Sequence, residues 1–143
     1  MIKLKLFKKG DIDTSFCDIR KEVFVKEQGF PLREEFDDWD LKVPHLCVFS
    51  DGVPCATGRF IPIDSETVKI GRIAVAKDKR KMGFGEMVVT ELLKKAKSEG
   101  NKKAIVGAQT QAQKFYEKCG FAVVGTDIYL ECNIPHIDME ISL

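Results

Sequence analysis

Between residues 67 and 98 a strand-like stretch, a basic loop, a glycine turn and a long helical pattern follow one another without interruption. Val68-Lys69-Ile70-Gly71-Arg72-Ile73-Ala74-Val75 is rich in β-branched residues, as strands are. Lys77, Lys79, Arg80 and Lys81 then surround a single acid, Asp78, ahead of Gly83-Phe84-Gly85. Phe84, Val88, Val89, Leu92, Leu93 and Ala96 recur at helical spacing, and Gly100 ends the run. A strand feeding a helix through a short turn belongs to a mixed α/β domain. Four unpaired N–H groups and a partial positive charge stand at such a helix start. Glycines let an anion come close to that backbone. With Arg80 and Lys81 at the same mouth, the turn reads as a diphosphate site. On Gly-x-Gly alone, a plain glycine loop with lysines on a solvated face fits as well.

Two other phosphate motifs fit poorly. A P-loop needs Gly-Lys-Ser/Thr, which is absent. A dinucleotide-binding turn needs a third glycine where Val88 stands, in the first βαβ unit rather than late in the chain.

The rest of the chain supplies one sheet. Residues 2–7 alternate like a strand. Asp13 caps a helix expected over 14–26 with the stripe Phe16, Ile19, Val23 and Phe24. A polar segment broken by Gly29 and Pro31 leaves room for a short helix over 33–38. Strands are expected over 44–50, 54–62 and 67–76, and a short buried one over 104–107. A helix fits 110–118, stopped by Gly120, and two last strands fit 121–131 and 135–142. There is no repeat or linker, so residues 1–143 read as a single domain, the usual size for one.

Several function classes fall away. There is no run of 18 apolar residues and no signal-peptide pattern, so neither a membrane partner nor export is expected. Five cysteines, an odd count without a Cys-x-x-Cys pair, indicate neither a metal site nor a disulfide framework, and suit a cytoplasmic chain. The 23 Lys+Arg and 22 Asp+Glu nearly cancel, against a nucleic-acid partner. A nucleic-acid domain using the lysines of 77–103 would require steeply salt-dependent binding.

Arg80-x-x-Gly83-x-Gly85 resembles the acyl-CoA-binding signature of the Gcn5-related N-acetyltransferase (GNAT) superfamily. Gln109-x-x-Ala112-x-x-Phe115-Tyr116-x-x-x-Gly120-Phe121 resembles its second motif, and the element order is similar across nearly the whole chain. The segments Glu22-Val23-Phe24-Val25-x-Glu27-Gln28 and Ile134-Pro135-His136-Ile137-x-Met139 are similar to a bacterial branch of largely unassigned substrate. Departures are Gln109 for the usual Asn, Lys81-Met82 after the first signature residue, and Asn133 before Ile134.

The resemblance implies an α+β fold with a mixed, mostly antiparallel sheet, helices on both faces, and a splay between two central parallel strands. It implies acyl transfer from acetyl-CoA to a primary amine. Cofactor contacts would come from Ile73, Ala74 and Val75, from Arg80, Lys81, Met82, Gly83, Phe84, Gly85 and Glu86, and from Gln109, Ala112 and Phe115. A backbone N–H near Ile73 or Val75 would stabilise the thioester oxyanion. Tyr116 holds the family's general-acid position, and a phenol is nearly matched to an alkyl thiol in proton affinity. Phe115-Tyr116 as a plain core pair is the alternative.

The base does not transfer from the family. His136, His45 and Glu35 are candidates, and Glu27, Asp37 and Asp40 are further carboxylates. Cys119 as an acyl carrier, against a plain buried thiol, and Trp39 as a stacking residue, against an anchor of the acidic loop, are lesser alternatives.

Residues 27–40 hold six acids and one base, and residues 77–103 hold nine bases and four acids. An acidic rim of Glu27, Asp37 and Asp40 would draw a cationic amine towards the thioester; a solvated helix face is the plain alternative. The expected partner is a small-molecule or peptide amine, with a homodimer left open. A non-catalytic acyl-CoA-binding module is the rival function.

Overall fold

The computed structural model describes residues 1–143. The strands are β1 (Ile2–Phe7), β2 (His45–Ser50), β3 (Val53–Pro62), β4 (Thr67–Val75), β5 (Lys103–Gln109), β6 (Ala122–Glu131) and β7 (Ile134–Ser142). They form one sheet in the order β1-β2-β3-β4-β5-β7-β6. Only the β4–β5 pair is parallel. The α-helices are α1 (Thr14–Arg20), α2 (Leu32–Glu35), α3 (Phe84–Ser98) and α4 (Gln113–Lys118). No helix is long and apolar enough to cross a membrane.

Helices cover both faces, as expected. Alternation along β2 sends Val48 to one side and Cys47 to the other, and each side has its own core. On the first face Val88, Val89, Leu92 and Ala96 of α3 are fully or almost fully buried against Val48, Val68, Ile70 and Val106. Each of these valine, leucine and isoleucine side chains contributes roughly 1.5–3 kcal/mol of burial. Gly58 of β3 permits this approach, because a Cβ there would lie 2.5 Å from Ile73 Cδ1 and 2.7 Å from Val88 Cγ1. On the second face Phe16, Ile19 and Val23 pack with Phe7, Cys47 and Ala74. The expected stripe of the first helix is therefore its buried face.

The structure departs from the sequence pattern at three elements. The first helix keeps α geometry only to Arg20 and runs on as a π-helix over Lys21–Glu27. The helix expected over 33–38 is instead α2 followed by a 3-10 turn over Asp38–Leu41. A capping box explains that turn: Asp37 accepts from the Asp40 backbone and Asp40 from the Asp37 backbone. β5 is longer than 104–107, because β7 pairs with it from Lys103 to Gln109.

Candidate active site

Parallel pairing of β4 with β5 stops after Thr67–Lys103, Val68–Ala104 and Lys69–Ile105. Beyond Lys69 the two strands diverge. Against β3, the stretch from Gly71 to Ala74 faces the shorter stretch from Arg59 to Thr57, so β4 carries an extra residue. Arg72 takes up the bulge with a left-handed backbone, φ 54°. A cleft of about 890 Å³ opens along the divergence. Ile73, Ala74 and Val75 line it from β4, and Val106, Gly107 and Gln109 from β5. These edges no longer pair with each other, so their backbone groups are available to a ligand.

One end of the cleft is the glycine turn. Lys81 and Gly83 are both left-handed, φ 63° and 85°, which turns the chain sharply into α3. No side chain caps that helix start, so its first N–H groups are left for an anion. Gly85 keeps the cradle open: a Cβ there would meet Val75 Cγ2 at 3.2 Å and the Phe115 ring at 3.3 Å. These features fit a diphosphate-bearing cofactor. Arg80 lines the same end, where it donates to the Val75 carbonyl and makes a two-pronged pair with Glu27 at 2.7 and 2.6 Å. The Glu27 carboxylate raises the proton affinity of Arg80, and Arg80 in turn holds the Glu27 carboxyl below its usual range. Every residue expected at the cofactor site lines the cleft except Met82, which points into solvent at 59% exposure.

Tyr116 lines the cleft from α4, on the α3 face of the sheet, packed edge-on between Phe115 and Phe121. It is 7% exposed, and no protein group hydrogen-bonds its hydroxyl. Burial pushes the phenol well above its ordinary value, so it stays protonated and can donate. Cys119, one turn on, lies outside the cleft, and burial pushes its thiol up to about 11. Thiolate, the form an acyl carrier needs, is scarce there.

The base candidates separate. His136 and Glu35 line the cleft; His45 does not. His45 is 1% exposed, stacked on Phe16 at 4.3 Å, with Nε2 3.0 Å from Asp40 Oδ1. It is a core histidine beyond the reach of an acceptor. Glu35 is 2% exposed and accepts from Arg20 Nε at 2.8 Å. Burial pushes its pKa up, opposed by Arg20 and Arg72.

The acidic segment is not a free rim. Glu27, Asp37 and Asp40 do not line the cleft. Asp40 binds the Arg20 and Arg59 guanidinium groups, each through a 2.7 Å contact to Oδ1. Asp37 takes both arms of Arg59 at 2.7 Å and one arm of Arg72 at 3.3 Å. Three carboxylates (Glu35, Asp37, Asp40) thus meet three arginines (Arg20, Arg59, Arg72). Against burial, the His45 bond and these guanidinium groups hold Asp40 well below the usual carboxylate range. Trp39 lies outside the cleft too, under the Lys42 ammonium at 5.4 Å.

Sequence reasoning missed the arginines. Arg20 carried a hint, since it stands four residues after Phe16 on the buried side of the helix. It also missed cleft residues from three remote elements: Gln28, which accepts from Gln109 at 2.7 Å, and Glu34 and Glu131.

Comparison with known proteins agrees with this geometry. Residues 14–121 match the model of the acetyltransferase (GNAT) family. A Bacillus subtilis protein named as an acetyltransferase is 37% identical over 138 residues, covering 94% of this chain and 92% of that one. The crystal structure of a Lactobacillus plantarum protein named as an N-acetyltransferase superposes with a TM-score of 0.88 at 26% identity, covering 99% and 98% of the two chains. A Bacillus subtilis acetyltransferase crystallised in complex with CoA has the same fold, with a TM-score of 0.79 at 18% identity over 100% and 99% of the chains.

Proposed function

The chain belongs to the GNAT family and is an acyl-CoA-dependent N-acetyltransferase; we propose that it passes an acetyl group from acetyl-CoA directly to a primary amine, with a small cationic amine as acceptor. The observation that carries the reading is the cleft itself. It runs from the uncapped start of α3, along the open edges of β4 and β5, to the Tyr116 hydroxyl. The CoA-bound Bacillus subtilis structure of the same fold supports acetyl-CoA as the donor.

When bound, acetyl-CoA supplies an activated thioester. The chain's own residues do the rest. The first N–H groups of α3, with Arg80 and Lys81, hold the diphosphate. The β4 edge beside the bulge offers a backbone N–H to the thioester oxygen, and loss of one such donor commonly costs ~2.7–4 kcal/mol. Tyr116 protonates the departing sulfur. A cationic acceptor is favoured by Glu34 and Glu131, which line the cleft without a lysine or arginine partner. Glu27, Asp37 and Asp40 do not serve this purpose, because arginines already neutralise them.

The test is thiol release from acetyl-CoA across a panel of amines. Tyr116→Phe is expected to cut kcat by roughly 10²–10⁴, the usual weight of a general acid, with CoA affinity nearly intact. CoA binding without thiol release for any amine would favour the non-catalytic binding module. Full turnover by Tyr116→Phe would remove Tyr116 as the acid.

A further inference from the structure

His136 differs from the chain's other histidine in where its lone pair is left. Its Nδ1 lies 2.7 Å from the Ile134 carbonyl oxygen. A carbonyl only accepts, so Nδ1 carries the hydrogen and the neutral ring has its lone pair on Nε2. That nitrogen makes no hydrogen bond within the protein; Glu131 Oε2 lies 3.7 Å from it. The side chain is 6% exposed, yet it lines the cleft. In His45 the bond to Asp40 takes Nε2, and the orphaned Nδ1 is sealed in the core.

The ring is also held still. It stacks on Tyr129 at 5.8 Å and 22°. The Tyr129 hydroxyl donates to Asp138 Oδ1 at 2.7 Å. Gly107 leaves room for that phenol, since a Cβ there would lie 2.6 Å from the hydroxyl oxygen. Register then gives the side of the sheet. His136 is opposite Gln109 on β5, and its neighbour Ile137 is opposite Ala108 in the α3-side core. Alternation puts His136 on the other face. Tyr116 sits on the α3 face. A proton donor and a proton acceptor therefore approach the open slot between β4 and β5 from opposite faces of the sheet.

We propose that His136, through Nε2, is the base that deprotonates the amine acceptor, with Tyr129 as its positioning residue and Glu131 as the outlet for the proton. This rests on the acetyl-transfer reading above. Nε2 takes one proton from the substrate ammonium, and the freed nitrogen pair forms the C–N bond at the thioester carbonyl. The C–S bond breaks with its electron pair on sulfur, which receives the Tyr116 proton. The second proton lost by nitrogen returns Tyr116 to its phenol form. The proton on His136 leaves through Glu131, which is 59% exposed. One proton is released per amide formed, as the overall reaction requires.

The charged and titratable surroundings are few. Glu131 and the Tyr129–Asp138 pair face His136 from the sheet. Across the cleft, Cys132 beside Glu131 donates to Glu34, and Arg72 reaches the Glu34 and Glu35 carbonyls. Burial and the bond to Asp138 keep the Tyr129 phenol protonated.

The experiment compares wild type, His136→Ala, His136→Gln and Glu131→Gln in the thiol-release assay, with CoA binding followed by calorimetry. His136→Ala should lose about 10²–10⁴ in kcat, keep its CoA affinity, and regain activity with added imidazole. Wild-type kcat/KM should fall on the acid side through the range where histidines gain a proton, roughly pH 5–8. His136→Gln should lack that limb. Glu131→Gln, an exposed change that leaves folding intact, should move the limb to lower pH by removing a carboxylate that favours the imidazolium. Turnover within a few-fold of wild type in His136→Ala, or an acid limb unmoved in both His136→Gln and Glu131→Gln, overturns the assignment while Tyr116→Phe still tests the parent reading. If wild type releases no thiol with any amine, the parent reading fails and the base with it.

Discussion

At the glycine loop the groups offered to a ligand are backbone N–H groups and a half-exposed arginine, whereas Glu35, Asp37 and Asp40 of the acidic segment are carboxylates already matched to arginines. Arg80 meets Glu27 at the surface, with about a third of each side chain exposed. Arg20 meets Glu35 and Asp40 in the interior, where the arginine is 0% and the carboxylates 2% and 7% exposed. Both regions hold arginine–carboxylate pairs. They differ in dielectric, and hence in what breaking them costs. The loop can exchange one anion for another. The acidic segment cannot release its arginines without stranding buried charge, so it acts as a strut that ties α2 to the bulge through Arg72.

The largest effect that would break this contrast is on stability. Arg20→Met strands Glu35 and Asp40 beside Arg59 and Arg72. We expect a loss of about 3–5 kcal/mol in urea unfolding, the cost of breaking a buried pair. Arg80→Met should lose under about 1 kcal/mol while weakening CoA binding. Equal losses would erase the distinction. Acid pH supplies the sign. Asp37 and Asp40 are held below their unfolded values. Their contribution is full above about pH 4 and is lost as pH falls through the folded values. Glu35, pushed the other way by burial, opposes this in part. Arg20→Met should therefore flatten the acid side of the stability profile.

The next effect sharpens the loop side. Gly85→Val would put methyl groups against Val75 and Phe115, in the cradle beside the first N–H groups of α3. Overpacking of that kind costs about 1–3 kcal/mol. KM for acetyl-CoA should rise about tenfold, equivalent to one charge-assisted hydrogen bond of about 1.5 kcal/mol. An unchanged KM would mean that the diphosphate is held by side chains instead.

The same contrast explains what was legible in the sequence. The loop is written locally: Gly83, with its left-handed backbone, and Gly85, where a Cβ would crowd Val75 and Phe115, stand at the start of the helix they open. The strand and helix pattern was readable for the same reason, because periods of 2 and 3.6 are local. The acidic segment was not, since its meaning depends on Arg20, Arg59 and Arg72, arriving from three other elements. Counting six acids over 27–40 could not reveal that Asp37 and Asp40 were spoken for. The π geometry over Lys21–Glu27 also leaves no mark on composition, and neither does the bond between Gln28 at its end and Gln109. His136 was named among several candidates. Its distinction from His45 lies in which ring nitrogen is bonded, a property of strand register rather than of residue type.

The smallest effect tests whether the surface pair at the loop is a competitor or a support. Glu27 holds both arms of Arg80, so an incoming diphosphate must displace that carboxylate or share the guanidinium with it. In Glu27→Gln the competing charge is gone, while the Arg80 bond to the Val75 carbonyl still orients the side chain. An exposed pair is worth about 0.2–1 kcal/mol, which corresponds to at most about a fivefold change. We expect KM for acetyl-CoA to fall by two- to fivefold at low salt, and the gain to shrink at high salt as screening removes the competition. A rise in KM instead would show that Glu27 preorganises Arg80 rather than competing for it, and would place the loop closer to the acidic segment in kind.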